Sequence, residues 1–407
     1  MALRVLKFGG TSVETPSHIL AVARRILRYH EAGDQVVVVV SAMGQSTDEL
    51  IRLAERVSRA PKRRELDMLL TAGERIAMAL LAMALESLGC AAISFTGSQT
   101  GILTDDHHFD ARIQTVRPAR LEQELARGRV VIVAGFQGVS PVSKEITTLG
   151  RGGSDTTAVA LAVRLGADAC QIFTDVRGVF TADPRVVPDA RLIEEIGYEP
   201  MIALSHLGGR VLFRRAAILA RRFGQRLEVL GSREEAAGTF IPNRSGPTGV
   251  IAFREENGPM EGERILGVGV ESPVTWVRVI CAEGPATLPS TGKTPLLCYQ
   301  RSRLPDGRVS IEWVAMPDAT LERWLEPGSW PAGAELSIER SAALVSLVGE
   351  GVLAEGEILA RAEAALAEAG VPLYGTYGAS LAISLLLPQE QADVAARRLH
   401  REFIESP

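Results

Sequence analysis

Several features are scarce in this 407-residue chain, and each scarcity excludes a class of protein. Aromatic residues make up only 5% of the sequence, so aliphatic side chains and alanine must fill the core. None of the four cysteines forms a C-x-x-C pair, which disfavours a zinc ribbon or a disulfide framework. Net positive charge is also missing, because 44 Lys and Arg face 49 Asp and Glu, giving −5. This balance excludes a generally basic nucleic-acid-binding protein.

Long apolar runs are missing as well. No run reaches the roughly 18 residues of a membrane-spanning helix, and the N-terminus lacks the layout of a signal peptide. We therefore expect neither nucleic acid nor membrane among the partners, and a reducing, cytoplasmic location. The 46% of hydrophobic residues is typical of a folded protein, and the length suggests two or three domains.

Short β-branched runs alternate with amphipathic helical segments through the first 240 residues. Continuous apolar runs are typical of strands buried on both faces of a parallel sheet. This alternation predicts an α/β fold with a mainly parallel sheet between layers of helices. Ligands of such sheets bind at the carboxyl ends of the strands. The runs are Leu3–Phe8, Val36–Val40, Val130–Val133, Gln171–Phe173 and Leu227–Leu230.

The composition changes after residue 241. Residues 242–263 are rich in Gly, Pro, Asn and Glu, which indicates a linker. Residues 264–407 predict a second, α+β region. Its clearest part, about 341–405, has a βαββα order that is typical of half a ferredoxin-like fold. The stretch 265–340 is interpreted as a degenerate copy, because a full first helix is missing after its first strand.

Two glycine-rich segments follow predicted strands. In Lys7-Phe8-Gly9-Gly10-Thr11-Ser12, bare main-chain amides and a lysine could meet a phosphate, although a simple βα turn with a solvated lysine fits equally well. The segment 147–157, TTLGRGGSDTT, is more informative. A capping turn needs one glycine rather than three, and it does not need Arg151, whose fork matches a carboxylate. We expect the helix to start near Thr156, with Ser154 or Asp155 as its N-cap.

Three further segments are weaker signals. Residues 174–185, TDVRGVFTADPR, follow another strand and could form either a hairpin loop or the edge of a nucleotide site. Residues 41–44, SAMG, and 71–74, TAGE, also lie near predicted element ends. In isolation, Glu74 is an ordinary carboxylate on a helix face.

Six motifs occur in a fixed order: KFGGTSV, VSAMG, TAGER, SQTGILTD, TTLGRGGSDTTA and FTDVRGVFTADPR. With them, about residues 4–240 resemble the aspartate kinases of the amino acid kinase family, and the tail more weakly resembles ACT domains. The resemblance implies an amino acid kinase catalytic domain over 1–241, the linker 242–263 and an ACT-like regulatory region over 264–407. It also implies phosphorylation of the L-aspartate side chain to 4-phospho-L-aspartate by ATP with Mg²⁺.

The resemblance further implies roles for individual residues. Lys7 would stabilise the transferring phosphoryl group, and Asp155 would organise the lysine and metal environment. Arg151 would clamp a substrate carboxylate, and Glu74 would pair with the α-amino group. The hydroxyl side chains in the substrate cleft would be those of Ser41 and Thr47.

The nucleotide would contact the backbone of the two glycine-rich segments, residues 174–185 and Arg210. These residues would be Lys7, Gly9, Gly10, Gly153, Thr174, Asp175, Phe180, Asp183, Arg185 and Arg210. The resemblance assigns no metal ligands. A carboxylate nucleophile needs no general base, so the lack of a catalytic histidine is compatible with this chemistry.

The sequence departs from the family pattern at several positions. Arg210 and Phe213 stand where the family usually has Lys and His, and Arg177 stands where Asp is common. Residues 373–378, LYGTYG, replace a Ser-Thr-Ser-Glu-like stretch. We therefore expect weakened feedback inhibition by threonine or lysine. ACT-like regions often pair between chains, which implies a homodimer.

Two other functions remain open at this point. The chain could be an amino acid kinase that acts on another small carboxylate, because Glu74 and Arg151 do not fix the length of the substrate side chain. It could also be a non-catalytic nucleotide-sensing protein with an ACT-like domain.

Overall fold

The structure, a computed structural model, describes residues 1–209, 211–242, 264–282, 296–326, 328–331, 333–353 and 356–405. The chain divides into two compact units. The first comprises Met1–Val179, Leu192–Ile202 and Arg210–Glu255. The second comprises Phe180–Arg191, Ala203–Gly209 and Glu256–Pro407. Two short segments from the first 241 residues therefore belong to the second unit. The predicted linker lies outside the described residues, except for position 242.

Up to residue 242 the chain alternates helices and strands as the sequence predicts. In order, these elements are β1 (Leu3–Phe8), α1 (Pro16–Glu31), β2 (Gln35–Val40), α2 (Ser46–Val57), α3 (Arg63–Ser87), β3 (Ala92–Phe95), β4 (Ile102–Thr104), β5 (Ile113–Val116), α4 (Ala119–Ala126), β6 (Val130–Ala134), β7 (Gln137–Val139), β8 (Ile146–Thr148), α5 (Gly153–Leu165), β9 (Ala169–Thr174), α6 (Tyr198–His206), α7 (Arg214–Phe223), β10 (Leu227–Gly231) and β11 (Thr239–Ile241).

A seven-stranded sheet forms the centre of the first unit, in the order β11-β10-β9-β1-β2-β6-β3. All its pairings are parallel except that of β10 with β11, so the prediction of a mainly parallel sheet is confirmed. β1 lies in the middle, flanked by β2 and β9. Their carboxyl ends therefore share one edge, where the rings of Phe8 and Phe173 stack with centroids 4.6 Å apart.

α3 is a core helix of the first unit. Among the described helices it alone is long and apolar enough to cross a membrane, but half of that stretch is buried inside the protein. Ala77, Leu81 and Leu85 pack in the main hydrophobic core together with the sheet. The same buried face carries Asp67 and Glu74, about three turns and one turn before Ala77. Two carboxylates on a buried face place α3 beside a polar site.

A smaller four-stranded sheet, in the order β5-β4-β7-β8, completes the first unit. Its strands have only three or four residues each, and they were not predicted from the sequence. The last of them, β8, ends directly before the glycine-rich segment 149–153. This sheet therefore fixes where that segment begins.

The second unit is built on a six-stranded antiparallel sheet, in the order β13-β14-β12-β15-β17-β16. Its elements are β12 (Arg264–Cys281), β13 (Leu296–Arg303), β14 (Val309–Ala315), α8 (Ala319–Trp324), β15 (Glu335–Glu350), α9 (Glu357–Glu368), β16 (Gly375–Ala379), β17 (Ala382–Pro388) and α10 (Ala392–His400). The predicted βαββα order is confirmed in β15–α10. The place of the missing first helix, residues 283–295, lies outside the described residues.

Residues 180–191 pack into the core of this second unit. Ala182 and Val187 are buried with residues of β15, β17, α9 and α10. Thr181 Oγ1 lies 2.9 Å from Nε2 of the fully buried His400, and Val268 N donates to Thr181 O at 2.7 Å. These contacts tie the segment to α10 and β12.

Candidate active site

Lys7 lies inside β1, where it pairs with Val39 of β2 and Ile172 of β9. Its Nζ atom is 2.7 Å from Oδ1 of Asp155, and both side chains are only 12% and 10% exposed. The interpretation of a solvated lysine in a simple βα turn is therefore wrong for Lys7. The central strand instead holds this cation rigidly at the carboxyl edge of the sheet, next to an anion.

α5 begins at Gly153, three residues earlier than predicted, and its N-cap is Gly152 rather than Ser154 or Asp155. Gly152 has a φ of 65°, a left-handed conformation that glycine adopts without the cost of a Cβ. Asp155 is thus the third residue of the helix rather than its cap. Its carboxylate can therefore face Lys7 while remaining in the positive field of the helix N-terminus.

Phe213 contacts the start of α5. A Cβ added to Gly152 would lie 1.9 Å from Cγ of Phe213, so the ring fills the space that only glycine leaves open. Phe213 N also donates to Oδ2 of Asp155 at 3.3 Å. The backbone before α7 therefore holds one oxygen of Asp155, while Lys7 holds the other.

The three glycines expected to face phosphate differ in their surroundings. Gly9 N donates to Phe173 O at 3.2 Å, and Gly153 N donates to Gly150 O at 3.0 Å. A Cβ on Gly153 would lie 2.9 Å from Leu149 Cβ, and one on Gly10 would lie 2.8 Å from Ala42 O. Close packing therefore explains the need for glycine at positions 10 and 153. Their contact with phosphate stays a prediction.

The carboxyl end of β2 meets α2 and α3 around Glu74. Glu74 Oε1 accepts a hydrogen bond from Ala42 N at 3.3 Å, and the side chain is almost completely buried. Ser41 N donates to Phe8 O at 3.1 Å, which places Ser41 beside β1. Thr47 is the second residue of α2, whose N-terminus begins at Ser46. Three of the predicted substrate residues therefore lie around the end of one strand.

Buried polar atoms near Glu74 lack hydrogen-bond partners among the described residues. They are Oε2 of Glu74 and the hydroxyl of Ser46. A Cβ on Gly73, next to Glu74, would lie 3.6 Å from Ser46 Oγ. Buried polar atoms are nearly always paired in folded proteins. A group of such orphans at a strand end therefore indicates a place for a polar ligand.

Burial also changes the chemistry of Glu74. Desolvation raises the pKa of its carboxyl group from 4.5 to about 7, and the hydrogen bond from Ala42 N opposes this shift. A cationic group beside Oε2 would oppose this rise of the pKa, because it would favour the ionised carboxylate.

Arg151 lies in the turn before Gly152, four residues before Asp155. Its side chain is exposed and has no hydrogen-bond or ion-pair partner among the described residues. The guanidinium group is therefore available to a ligand, and its backbone position is set by the loop alone.

The residues predicted to border the nucleotide fall in different parts of the structure. Thr174 ends β9, beside β1, and its hydroxyl donates to Asp175 at 3.1 Å. Phe180, Asp183 and Arg185 belong to the second unit, where Asp183 and Arg185 form an ion pair of 2.8 Å. Arg210 lies outside the described residues.

Sequence reasoning missed three polar residues that hold the loops of this site: Asp67, His108 and Arg215. The Nδ1 atom of His108 lies 2.6 Å from Oδ2 of Asp67. A signal for Asp67 existed. It precedes Glu74 by seven residues, so both carboxylates fall on the apolar face of one helix.

The described residues contain no cluster of three or more His, Cys, Asp or Glu side chains that could hold a metal ion. Asp155, the carboxylate expected to organise the lysine and metal environment, pairs with Lys7. This donor set fits Mg²⁺ that arrives with a nucleotide, because Mg²⁺ keeps several waters and binds phosphates together with one or two carboxylates.

Comparison with known proteins shows the family of this chain. The profile of the amino acid kinase family matches residues 2–231. The chain therefore belongs to the amino acid kinase family. Its curated relatives include an aspartokinase from Mycolicibacterium smegmatis, 41% identical over 99% of this chain and 96% of the relative. An aspartokinase from Thermus thermophilus is 40% identical over 99% of both chains. Within the family, the chain thus groups with the aspartokinases.

Solved structures agree with the fold. The crystal structure of aspartate kinase from Synechocystis is 37% identical, with a TM-score of 0.55 over 99% of this chain and 69% of that one. Aspartokinase III of E. coli in complex with aspartate and ADP has a TM-score of 0.80 over 98% of this chain and 99% of that one. Its 22% identity shows a shared fold. The predicted fold class is confirmed.

Proposed function

We propose that this enzyme transfers the γ-phosphoryl group of ATP to the side-chain carboxylate of L-aspartate. One carboxylate oxygen attacks the γ-phosphorus, the bond from that phosphorus to the β–γ bridging oxygen breaks, and the products are ADP and 4-phospho-L-aspartate. Both reactants are anionic, so alignment and charge stabilisation are the main tasks of the protein.

The observation that carries this proposal is the unpaired Oε2 atom of Glu74. The α-ammonium group of an amino acid would satisfy this buried oxygen, whereas a substrate without an amino group would leave it unpaired. The hydroxyls of Ser41 and Thr47 lie near the same strand end, and Arg151 is available for the α-carboxylate. Together these groups fit the charges of a free amino acid.

Lys7 stabilises charge on the transferring phosphoryl group. It sits on the central strand, and Asp155 holds its ammonium group in place without solvent reorganisation. Thr174, Asp175, Gly9 and Gly10 border the phosphates at the same edge. Phe180, Asp183, Arg185 and Arg210 are proposed nucleotide residues on the strength of the resemblance, and Gly153 supports the start of α5. Mg²⁺ bound to ATP supplies further neutralisation of phosphate charge.

The proposal is tested by measuring ADP release with L-aspartate and trapping the acyl phosphate with hydroxylamine. Succinate, which lacks the α-amino group, is the matched substrate. We expect roughly 10⁴-fold lower kcat/KM for succinate, because a site built for an ammonium group rejects an analogue without it. Glu74→Gln should reduce this preference. Turnover only with another small carboxylate would replace aspartate as the acceptor, and no turnover with any of them would favour a nucleotide-sensing role.

We propose that feedback inhibition of the enzyme through the second unit is weakened. Among the described residues, the first half of its sheet carries the six-residue helix α8, and Trp313, Trp330 and Trp324 of this helix pack together. Residues 373–378 also depart from the family pattern. Titration of the active enzyme with L-threonine and L-lysine tests this proposal, and strong inhibition by either amino acid would contradict it.

A homodimer is proposed through the ACT-like region. β13 and β16 are the edge strands of the six-stranded sheet, and sheet edges can pair between chains. Light scattering on the purified protein should give twice the 43.6 kDa chain mass. A monomer at micromolar concentration would contradict the proposal. Val345, Leu347, Ile383 and Leu385 are ordinary core residues rather than interface residues, since all four are fully buried within the chain.

A further inference from the structure

The loop after β4 lies against the glycine-rich loop that carries Arg151. Ala111 N donates to Thr148 O at 2.9 Å, at the end of β8. A Cβ added to Gly150 would lie 3.0 Å from Phe109 O, so the two backbones are in close contact. The position of residues 105–112 therefore determines where residues 149–152 can lie.

Asp67 of α3 forms hydrogen bonds with the end of β8 and with the loop after β4. Its Oδ1 atom accepts a hydrogen bond from the Thr148 hydroxyl at 2.6 Å and another from Phe109 N at 3.1 Å. Its Oδ2 atom pairs with Nδ1 of His108 at 2.6 Å. The Asp67 side chain is completely buried, so these bonds are shielded from water. One carboxylate thus ties β8 and the neighbouring loop to the core helix.

The strain in the loop shows that this anchor is needed. Phe109 has a φ of 73°, a left-handed conformation that is unfavourable for a residue with a Cβ. Such a conformation persists only where the surroundings fix it. The hydrogen bond from Phe109 N to Asp67 provides this constraint, because it fixes the backbone at the strained residue itself.

Arg215 of α7 connects the same two loops from the other side. Its Nη1 atom donates to Asp110 Oδ1 at 3.0 Å and to Leu149 O, and its Nη2 atom donates to Ala111 O at 2.9 Å. The glycine-rich loop is therefore held between two anchors, one on α3 and one on α7.

We propose that Asp67, acting with His108, is a positioning residue for the amino-acid substrate, because it fixes the loop that presents Arg151. This inference rests on the proposed function. Arg151 has no side-chain partner among the described residues, so its aim depends on its backbone. Three nearby glycines give that backbone little rigidity of its own. An anchored loop avoids the entropic cost of ordering when the substrate binds.

Asp67→Asn is the main test, since it keeps the shape of the side chain but removes the charge that His108 and Thr148 contact. We expect the KM for L-aspartate to rise about 10- to 100-fold, because a misplaced positioning group has effects of that size. The KM for ATP should change less than twofold. Hydrogen exchange should become faster in peptides that cover residues 105–112 and 149–153.

Glu124→Gln is the matched control. Glu124 is also a buried carboxylate of the first unit, and it pairs with Arg127 and Arg129 at 2.6 and 3.0 Å. Its loss should lower thermal stability without changing the KM for L-aspartate. His108→Asn is the second variant if Asp67→Asn does not fold, because the His108 side chain is partly exposed. It should raise the KM for L-aspartate in the same direction.

The wild-type enzyme is assayed first with L-aspartate. Absence of turnover would overturn the proposed function and with it this role of Asp67. If the wild type is active, an unchanged KM for L-aspartate in the folded variants would overturn the positioning role alone. Equal rises in the KM values for both substrates would also overturn it.

Discussion

The ammonium group of Lys7 and the carboxylate of Asp155 form an ion pair of 2.7 Å that joins the central strand of the sheet to the N-terminus of α5. The pair is nearly buried. Each charge therefore depends on the other, and a single substitution affects both the stability of the fold and the chemistry of the site. A double substitution can separate these two effects.

Lys7→Met should lower kcat about 10²- to 10³-fold, which is the usual effect of removing one group that stabilises transition-state charge. It should also destabilise the protein, because an unpaired buried charge costs about 3–5 kcal/mol. Lys7→Met combined with Asp155→Asn should recover much of the stability but not the activity. The hydroxamate assay and urea unfolding measure the two quantities. Recovery of activity in the double variant would show that Lys7 has only a structural role.

Glu74 predicts a defined pH dependence. With its pKa raised to about 7, the free enzyme holds a proton on Glu74 below that pH. This proton must leave before the α-ammonium group of aspartate can pair with the carboxylate. We expect kcat/KM for aspartate to rise tenfold per pH unit up to about 7 and then level off. Glu74→Gln should give a lower profile that is flat over the same range, and an unchanged rise in that variant would assign the dependence to another group.

The raised pKa of Glu74 also makes the free energy of unfolding depend on pH. Unfolded Glu74 loses its proton near 4.5, whereas folded Glu74 keeps it to about 7. The native state therefore binds more protons between these values, so the contribution of Glu74 to the free energy of unfolding falls as the pH rises through this window. Urea unfolding of wild type and Glu74→Gln at pH 5 and pH 8 should show this difference. A difference between the two proteins that does not change with pH would contradict the raised pKa.

Arg151→Lys tests the bidentate recognition of a carboxylate. Lysine keeps the charge but not the planar fork, so we expect the KM for L-aspartate to rise about tenfold in Arg151→Lys. In Arg151→Ala the KM for L-aspartate should rise further, because hydrogen bonds to charged groups contribute about 1.5–3 kcal/mol. Arg56→Ala, an exposed arginine of α2, is the control and should behave as the wild type. Equal KM values for Arg151→Ala and wild type would remove Arg151 from the substrate site.

Gly152→Ala should destabilise the fold by about 2–5 kcal/mol, since a left-handed residue costs about 1–2 kcal/mol and overpacking against Phe213 adds about 1–3. Gly33→Ala is a matched control. Gly33 has a φ of 88° with nothing within 4 Å of an added Cβ, so only the conformational cost applies. Adding Phe213→Ala to Gly152→Ala should relieve the steric part. Equal losses for Gly152→Ala and Gly33→Ala in urea unfolding would show that Phe213 makes no difference.

The sequence predicts the large elements of this protein well because their signals are local. β2 is a run of valines, and the helical period of α3 extends over about seven turns. The strands of the four-stranded sheet escaped prediction because three residues cannot show a period. The start of α5 was misplaced because Ser154 and Asp155 are good caps. Only its tertiary contacts with Lys7 and Phe213 show that Asp155 serves another purpose.

The same contrast between local signals and tertiary contacts applies to the candidate site. Motifs predict roles for Lys7, Glu74, Arg151 and Asp155, and the surroundings of these residues in the structure suit charged ligands. The anchors of the loops were missed, because Asp67 is 41 residues from His108 and 81 from Thr148 along the chain. No spacing in a single sequence reveals such pairs.

The placement of residues 180–191 in the second unit has a practical consequence for dissecting this enzyme. A fragment that ends at residue 241 would include Ala182 and Val187 but none of the strands and helices from 264 onward that cover them. It would also separate Thr181 from His400. Such a fragment would expose apolar surface and would tend to aggregate. The end of the predicted catalytic domain at residue 241 is therefore not a suitable place to truncate the protein.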